Sequence, residues 1–120
     1  MITRYSLTEK HLHHAIQNGD FSEEILTSSK YVAVIMTQSW CPQWVFMRSW
    51  LSRTENKGNE SDITVYETEY DKLPSFNDFR TFKESTFNNW EVPYVRYYSD
   101  GKLIGESNFV SESGFLDFFS

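Results

Sequence analysis

The fold is indicated by the stretch Tyr31-Val-Ala-Val-Ile-Met-Thr-Gln-Ser-Trp-Cys-Pro-Gln-Trp44. Its first part, Tyr31–Met36, is a continuous apolar run rich in β-branched residues, which is typical of a buried strand covered on both faces. The stretch leads into a predicted helix over residues 43–54, with Pro42 in a position that favours the first helical turn. The residues predicted to face inward from this helix are Val45, Met47, Trp50 and Leu51. Cys41 is therefore expected where a central strand passes into a helix.

Further helices and strands are predicted on both sides of this stretch. Residues 6–17 are predicted to form a helix because Ser6 and Glu9 have capping-box spacing, and Asn18-Gly19 is expected to end it. A second, short helix is predicted to start at Asp20 or Ser22. The other predicted elements are a loop over 56–62, a strand over 63–70, a helix over 75–86, a hairpin of residues 92–98 and 102–106 around Ser99-Asp-Gly101, and a last helix capped by Ser111 that packs Phe115, Leu116, Phe118 and Phe119 inward. This order predicts an α/β fold with a mixed sheet flanked by helices.

Length and composition exclude several classes of protein. The chain has 120 residues, one cysteine, and 11 Lys and Arg against 17 Asp and Glu, for a net charge of -6. The length suits a single domain over residues 1–120, and no apolar run approaches the roughly 20 residues that span a bilayer. An acidic pI near 5.0 argues against nucleic acid or an anionic membrane surface as a partner. The amino terminus has no apolar signal-peptide region, so a cytoplasmic protein is expected. The oligomeric state is left open, with a monomer favoured.

The single cysteine limits the redox and metal chemistry that the chain can carry out. One cysteine excludes an intramolecular disulfide, a cysteine-based zinc site and a dithiol redox cycle within one chain. At the start of a helix, unpaired backbone N–H groups and the helix dipole favour the thiolate over the thiol. Cys41 is therefore interpreted either as a reactive nucleophile or as a small buried apolar side chain.

Residues 20–119 resemble the thioredoxin family. Trp40-Cys41 matches the Trp-Cys that opens the family's Trp-Cys-Gly-Pro-Cys site, and Val92-Pro93 lies where the family has its cis-proline. The other matching segments are the strands Val32–Met36 and Ile63–Asp71, the hairpin Arg96–Lys102 and the helix start Val110–Phe115. The resemblance implies a thioredoxin-like core to which helix 6–17 is an addition. It also implies a cis peptide bond before Pro93, against the alternative of a trans proline that starts an edge strand.

Three positions depart from the family's pattern. The second cysteine of the family's site falls on Trp44, and its buried acid, six residues before the first cysteine, falls on Ile35. The residue after the cis-proline, usually Thr, is Tyr94. The resemblance therefore implies that Cys41 is the catalytic thiol and that the apparatus that resolves its adduct is missing.

The resemblance also implies a surface around Cys41 that binds an extended peptide. The residues expected to bind substrate are Trp40, Pro42, Trp44, Val92, Pro93 and Tyr94. Free backbone beside Pro93 would pair with the substrate as an added strand, and the aromatic side chains would hold apolar groups. For Trp44 an alternative stays open, in which its side chain packs inward.

These observations predict a protein of thiol redox homeostasis with monothiol thiol–disulfide exchange through Cys41. An external thiol would resolve the adduct, with glutathione as the candidate co-substrate and a protein or peptide thiol or disulfide as the partner. No other cofactor and no metal are expected, and the cluster of His11, His13 and His14 is interpreted as a solvated helix face. Two alternatives remain: a non-catalytic module that binds a protein at the Trp40/Cys41/Pro93 surface, and a redox sensor that forms an intermolecular disulfide.

Overall fold

The apolar run predicted as a buried strand is the middle strand of a five-stranded mixed sheet. The computed structural model describes residues 2–57 and 62–120. The strands are β1 (Ile2–Ser6), β2 (Tyr31–Thr37), β3 (Ile63–Glu69), β4 (Tyr94–Ser99) and β5 (Lys102–Ser107), in the order β1-β3-β2-β4-β5. β2 pairs in parallel with β3 and antiparallel with β4. Because β2 is apolar on both sides, helices can cover both faces of the sheet.

Helices form two apolar cores, one on each face of the sheet. The helices are α1 (Glu9–Asn18), α2 (Glu23–Leu26), α3 (Pro42–Lys57), α4 (Phe76–Ser85) and α5 (Glu112–Asp117), with a 3₁₀ turn at Tyr70–Lys72. The α1/α4 core contains residues of α1, α2 and α4, among them Leu12 and Phe79. The α3/α5 core contains residues of α3 and α5, among them Trp50 and Phe115. None of the helices in the described part of the chain is long and apolar enough to cross a membrane.

The sequence correctly predicts the roles of Gly19, Ser111 and the Asp100-Gly101 turn. Gly19 ends α1 in a left-handed conformation at φ 85°, and its N–H donates to the Ala15 carbonyl. Asp100 and Gly101 both have positive φ, 51° and 79°, which matches the right-handed twist of a two-residue hairpin turn. Ser111 caps α5 by accepting a hydrogen bond from the Gly114 N–H. The chain therefore reverses where small or turn-forming residues were identified.

The amino-terminal region differs from the prediction. Strand β1 was not predicted, because only Ile2 of its five residues is buried among the sheet's apolar side chains and no alternation is visible. It pairs in parallel with β3 at the edge of the sheet, an interaction that depends on distant residues. The predicted helix over 6–17 begins later, because Thr8 rather than Ser6 precedes its first turn and donates its N–H to Nδ1 of His11.

Helix α3 also differs from the prediction in extent and orientation. It continues to Lys57, three residues beyond the predicted end, so it includes the start of the loop predicted over 56–62. Residues 58–61 of that loop lie outside the described residues. Val45, which was predicted to face inward, is 48% exposed, whereas Trp44 is buried. The buried positions fall three residues apart from Cys41 through Trp44 to Met47, which turns Val45 toward solvent.

Candidate functional site

Cys41 is held at the junction between β2 and α3. Its N–H donates to the Gln38 carbonyl at 3.2 Å, and its own carbonyl accepts the Val45 N–H at 3.2 Å, the first bond of the helix. The N–H groups of the first helical turn have no partner within the helix and point toward this end. Cys41 is only 4% exposed, so its thiol lies at a helix amino terminus but below the surface.

The thiol faces the segment that precedes β4. Its Sγ lies 3.6 Å from the Val92 carbonyl oxygen, in the geometry of an S–H donor to a backbone acceptor. The Val92–Pro93 peptide bond is cis. Pro93 is buried and Val92 half-buried. The structure therefore brings Cys41 together with Val92 and Pro93, although Cys41 and Val92 lie 51 residues apart in sequence.

Hydrogen bonds fix the loop that carries the thiol. The backbone N–H of Ser39 donates to Asp71 Oδ1 at 2.8 Å, and the Ser39 hydroxyl donates to Oδ2 of the same carboxylate at 2.5 Å. Gln38 Nε2 donates to the Tyr70 hydroxyl at 3.2 Å. These bonds tie the loop after β2 to the turn after β3, so the thiol has a defined position between two neighbouring strands.

Two of the residues expected to bind substrate are exposed beside the thiol. Trp40 is 65% exposed, and its Nε1 donates to Gln38 Oε1 at 2.6 Å, which orients the indole. Pro42 is also exposed, as the first residue of α3. Trp40 therefore offers an apolar face to solvent next to the buried sulfur.

Trp44 lies inside the protein, in agreement with the alternative in which it packs inward. It is 1% exposed, and its Nε1 donates to the Glu69 carboxylate at 2.8 Å. Burial raises the pKa of Glu69, but hydrogen bonds from Lys72 and Trp44 and the charges of Lys72 and Arg48 outweigh it, so the net pKa is lowered. Trp44 thus packs into the α3/α5 core, one helical turn from Cys41, and presents no surface to a substrate.

Tyr94 does not contribute to an aromatic surface around Cys41, which corrects the prediction that grouped it with Trp40 and Trp44. It is fully buried in the α1/α4 core, on the face of the sheet opposite the thiol. Its hydroxyl accepts a hydrogen bond from Arg96 Nη1 at 3.0 Å and donates to Glu106 Oε1 at 3.3 Å. The reason is the alternation of a strand, because Tyr94 points away from the side on which Val95 packs beside Cys41.

Ile35 lies where the resemblance places a buried acid. Its side chain is fully buried in the α3/α5 core that also contains Cys41 and Trp44. The position that would supply a carboxylate to the resolving thiol therefore supplies a branched alkyl group, and the position of that thiol holds an indole.

A network around the Val92–Pro93 segment was not predicted. Lys83 on α4 is 1% exposed and donates to the carbonyl of Asn89 at 2.9 Å and the carbonyl of Glu91 at 2.8 Å. Asn108 Nδ2 donates to the Pro93 carbonyl at 3.0 Å. In sequence, Lys83 continues the apolar helix face that carries Phe79, and a lysine at such a position is the signal that could have identified it. For Asn108 the sequence holds no comparable signal.

Trp90 is a second exposed indole that sequence reasoning missed. It is 71% exposed and lies two residues before Val92, the residue whose carbonyl faces Cys41. Trp40 precedes the thiol by one residue, so each of the two segments that meet at Cys41 and Val92 carries an exposed tryptophan.

The histidines of α1 have structural contacts. His11 accepts the Thr8 N–H, and His13 Nε2 lies 3.1 Å from Glu9 Oε1. Within residues 2–57 and 62–120, no group of three His, Cys, Asp or Glu side chains is placed to hold a metal ion.

Comparisons with known proteins identify the architecture. No protein-family model and no curated protein matches the sequence. Thioredoxin O1 from Arabidopsis thaliana superimposes with a TM-score of 0.66 at 15% identity, over 98% of this chain and 94% of that chain. Thioredoxin O2 from the same plant gives 0.65 at 16% identity, over 95% and 89%. A mutant thioredoxin from Halobacterium salinarum NRC-1 gives 0.64 at 12% identity, over 95% and 85%.

The chain has the thioredoxin fold. Identities of 12 to 16% show the fold alone. Because the superposition with thioredoxin O1 covers 98% of this chain, the matched length extends beyond residues 20–119 and includes α1. The resemblance found in the sequence thus agrees with the architecture, and Cys41 lies at the start of α3 in that architecture.

Proposed function

We propose that this protein carries out thiol–disulfide exchange through Cys41 and depends on an external thiol to complete each cycle. The observation that carries the proposal is the placement of Cys41 Sγ at the amino terminus of α3, 3.6 Å from the Val92 carbonyl beside Pro93. A sulfur at a helix amino terminus faces the unpaired backbone N–H groups of the first turn, which suit the negative charge of an attacking nucleophile. The thioredoxin fold and the absence of a second cysteine make this chemistry monothiol.

The proposed reaction has two exchange steps. The Cys41 thiolate attacks one sulfur of a disulfide, forms a mixed disulfide with that half and releases the other half as a thiolate. A second, external thiolate then attacks the mixed disulfide, forms a new disulfide with the bound half and returns Cys41 as a thiolate. Each step breaks one S–S bond and forms one, so no further oxidant or reductant is required. Glutathione is the candidate external thiol.

The side chains that replace the resolving apparatus support a mixed disulfide that persists until an external thiol arrives. Trp44 fills the position one turn into the helix, and its Nε1 is held by Glu69 at 2.8 Å. Ile35 provides no proton acceptor beneath it. Neither residue can attack the adduct or accept a proton from an incoming thiol.

Intact-mass measurements with oxidised glutathione test the proposal. We expect the native protein to gain one glutathionyl group, which reduced glutathione removes, and Cys41→Ser to gain none. The same chain unfolded in urea provides the reference rate for a thiol without a folded environment. An adduct that forms more slowly in the native protein than in the unfolded chain would show that Cys41 is only a buried apolar side chain.

A second candidate function is the binding of an apolar peptide without chemistry. The observation that favours it is the pair of exposed indoles, Trp40 at 65% and Trp90 at 71% exposure, one on each of the two segments that meet at Cys41 and Val92. A cysteine-free apolar peptide can be titrated into Cys41→Ser while tryptophan fluorescence is recorded. Saturable quenching that Trp40→Ala or Trp90→Ala weakens would support binding, whereas a response unchanged in both variants would contradict it.

A further inference from the structure

We propose that Lys83 is a positioning residue for the Cys41 site, because its ammonium group holds the segment 89–93 against the thiol. Lys83 holds the segment whether or not Cys41 reacts, and only the effect of this hold on thiol exchange rests on the proposed function. Lys83 lies on α4, on the other face of the sheet from α3. It acts through the segment and not by contact with the sulfur.

The hydrogen bonds of Lys83 concentrate on this segment. Its Nζ donates to the Asn89 carbonyl at 2.9 Å, to Asn89 Oδ1 at 3.3 Å and to the Glu91 carbonyl at 2.8 Å. The ammonium has three N–H donors, and all three meet oxygens of Asn89 or Glu91, which lie two residues apart in sequence. The three acceptors, two backbone carbonyls and one side-chain amide oxygen, are uncharged, so hydrogen bonds rather than an ion pair satisfy the buried cation.

A second group fixes the same segment from the other side. Asn108 Nδ2, after β5, donates to Asn89 Oδ1 at 3.0 Å and to the Pro93 carbonyl at 3.0 Å. Asn89 Oδ1 thus accepts hydrogen bonds from both Lys83 and Asn108. Val92 lies between Glu91, whose carbonyl is bonded to Lys83, and Pro93, whose carbonyl is bonded to Asn108. The Val92 carbonyl itself lies 3.6 Å from Cys41 Sγ. The position of the oxygen that faces the thiol therefore depends on these anchors.

The surroundings of Lys83 favour loss of its proton at moderately alkaline pH. Burial lowers its pKa from 10.5 to about 8, against the charges of Glu84 on the same helix and Glu91 on the segment, which raise it. From β4, the Tyr94 ring lies 5.5 Å from Nζ, and Arg96 contacts the Tyr94 hydroxyl one side chain further away. A neutral amine offers two donors to three oxygens and no charge-assisted bond, so the segment loses part of its anchorage as pH rises.

The decisive experiment follows the segment without the thiol. In Cys41→Ser, the Val92 methyl and Lys83 side-chain resonances are recorded by NMR as pH is raised. We expect both to shift together with a midpoint near about 8, and we expect the Val92 shift to disappear when Lys83→Met is added. Lys102→Met, which removes an exposed lysine from β5, is the matched control and should leave the Val92 shift in place. Val92 resonances that do not move with Lys83 would overturn the proposal, whether or not Lys83→Met folds.

The consequence for the thiol is measured by alkylation of the protein with Cys41 intact. At a pH below the Lys83 transition, iodoacetamide should modify Cys41 several-fold faster in Lys83→Met than in the wild type. Cys41 is only 4% exposed in the structure, and release of the segment would expose its sulfur. Lys102→Met should react at the wild-type rate. An unchanged rate in Lys83→Met would overturn the positioning role. Failure of the glutathione adduct to form would instead refute the proposed function and leave the NMR result standing.

Discussion

The burial of Lys83 makes the stability of the protein depend on pH in a way that one substitution removes. Its pKa is about 8 in the folded protein and 10.5 when the side chain is solvated. A base whose pKa is lowered by folding binds fewer protons in the folded state than in the unfolded state between these two values. The free energy of unfolding therefore rises as pH increases through this window, and the contribution is absent below about pH 7.

The size of this contribution follows from the two pKa values. At about pH 9, roughly nine tenths of the folded molecules have lost the Lys83 proton, while nearly all unfolded molecules keep it. The free energy of unfolding should then be about 1.4 kcal/mol greater than at pH 7 on account of Lys83 alone. The buried hydroxyls of Tyr97 and Tyr98 act in the opposite direction, because burial raises their pKa values, but this loss begins only above the pKa of 10.0 of a solvated tyrosine.

Urea unfolding at two pH values isolates the effect. The assay compares Cys41→Ser with Cys41→Ser/Lys83→Met at about pH 7 and about pH 9, so that no thiol titrates. We expect the difference between the two proteins to change by roughly 1.4 kcal/mol in favour of the lysine-containing protein at the higher pH. Cys41→Ser/Lys102→Met should follow Cys41→Ser at both values. A difference that is the same at both pH values would refute the burial of a charged Lys83.

Three further predictions test other parts of the structure. Trp44→Phe should lower the free energy of unfolding in urea by about 2 kcal/mol, because it removes a buried hydrogen bond to a carboxylate; a change near zero would contradict that bond. Ile35→Asp should cost at least about 3 kcal/mol or prevent folding, since a carboxyl group would be buried without a partner, whereas Ile35→Val should cost about 1 kcal/mol. Thermal unfolding should show a greater loss for Gly101→Ala than for Gly19→Ala, because both have positive φ but only the Cβ at 101 meets Thr27 Cγ2, at 2.8 Å. Equal losses would show that the contact with Thr27 does not affect thermal stability.

The parts of the site that the sequence predicts are those encoded by short segments. The strand Tyr31–Thr37, the helix after Pro42 and the position of Cys41 between them follow from local hydrophobicity and from turn chemistry. The hairpin around Asp100 and Gly101 follows in the same way, because its positive φ values require such residues. These segments are sufficient to indicate the thioredoxin fold.

The errors arise where an interaction partner is distant in sequence. β1 is a strand because β3 accepts it at the edge of the sheet, and its own side chains are mostly exposed. The resemblance placed Tyr94 near the thiol and left two alternatives for Trp44, a substrate-binding side chain or one that packs inward. The structure buries Trp44 against Glu69 and Tyr94 on the opposite face of the sheet, where burial of a large ring and satisfaction of its polar atom decide its direction.

By itself, the sequence determined that this protein has a single thiol, that the thiol follows a buried strand at the start of a helix, and that no second cysteine can resolve an adduct within the chain. These are consequences of composition and local pattern. Only the tertiary structure decided that the thiol lies beneath the surface against the Val92 carbonyl and that Lys83, on the other face of the sheet, holds the segment carrying that carbonyl. A buried ammonium group must find acceptors, and where those acceptors lie depends on how separate segments pack, which local pattern does not encode.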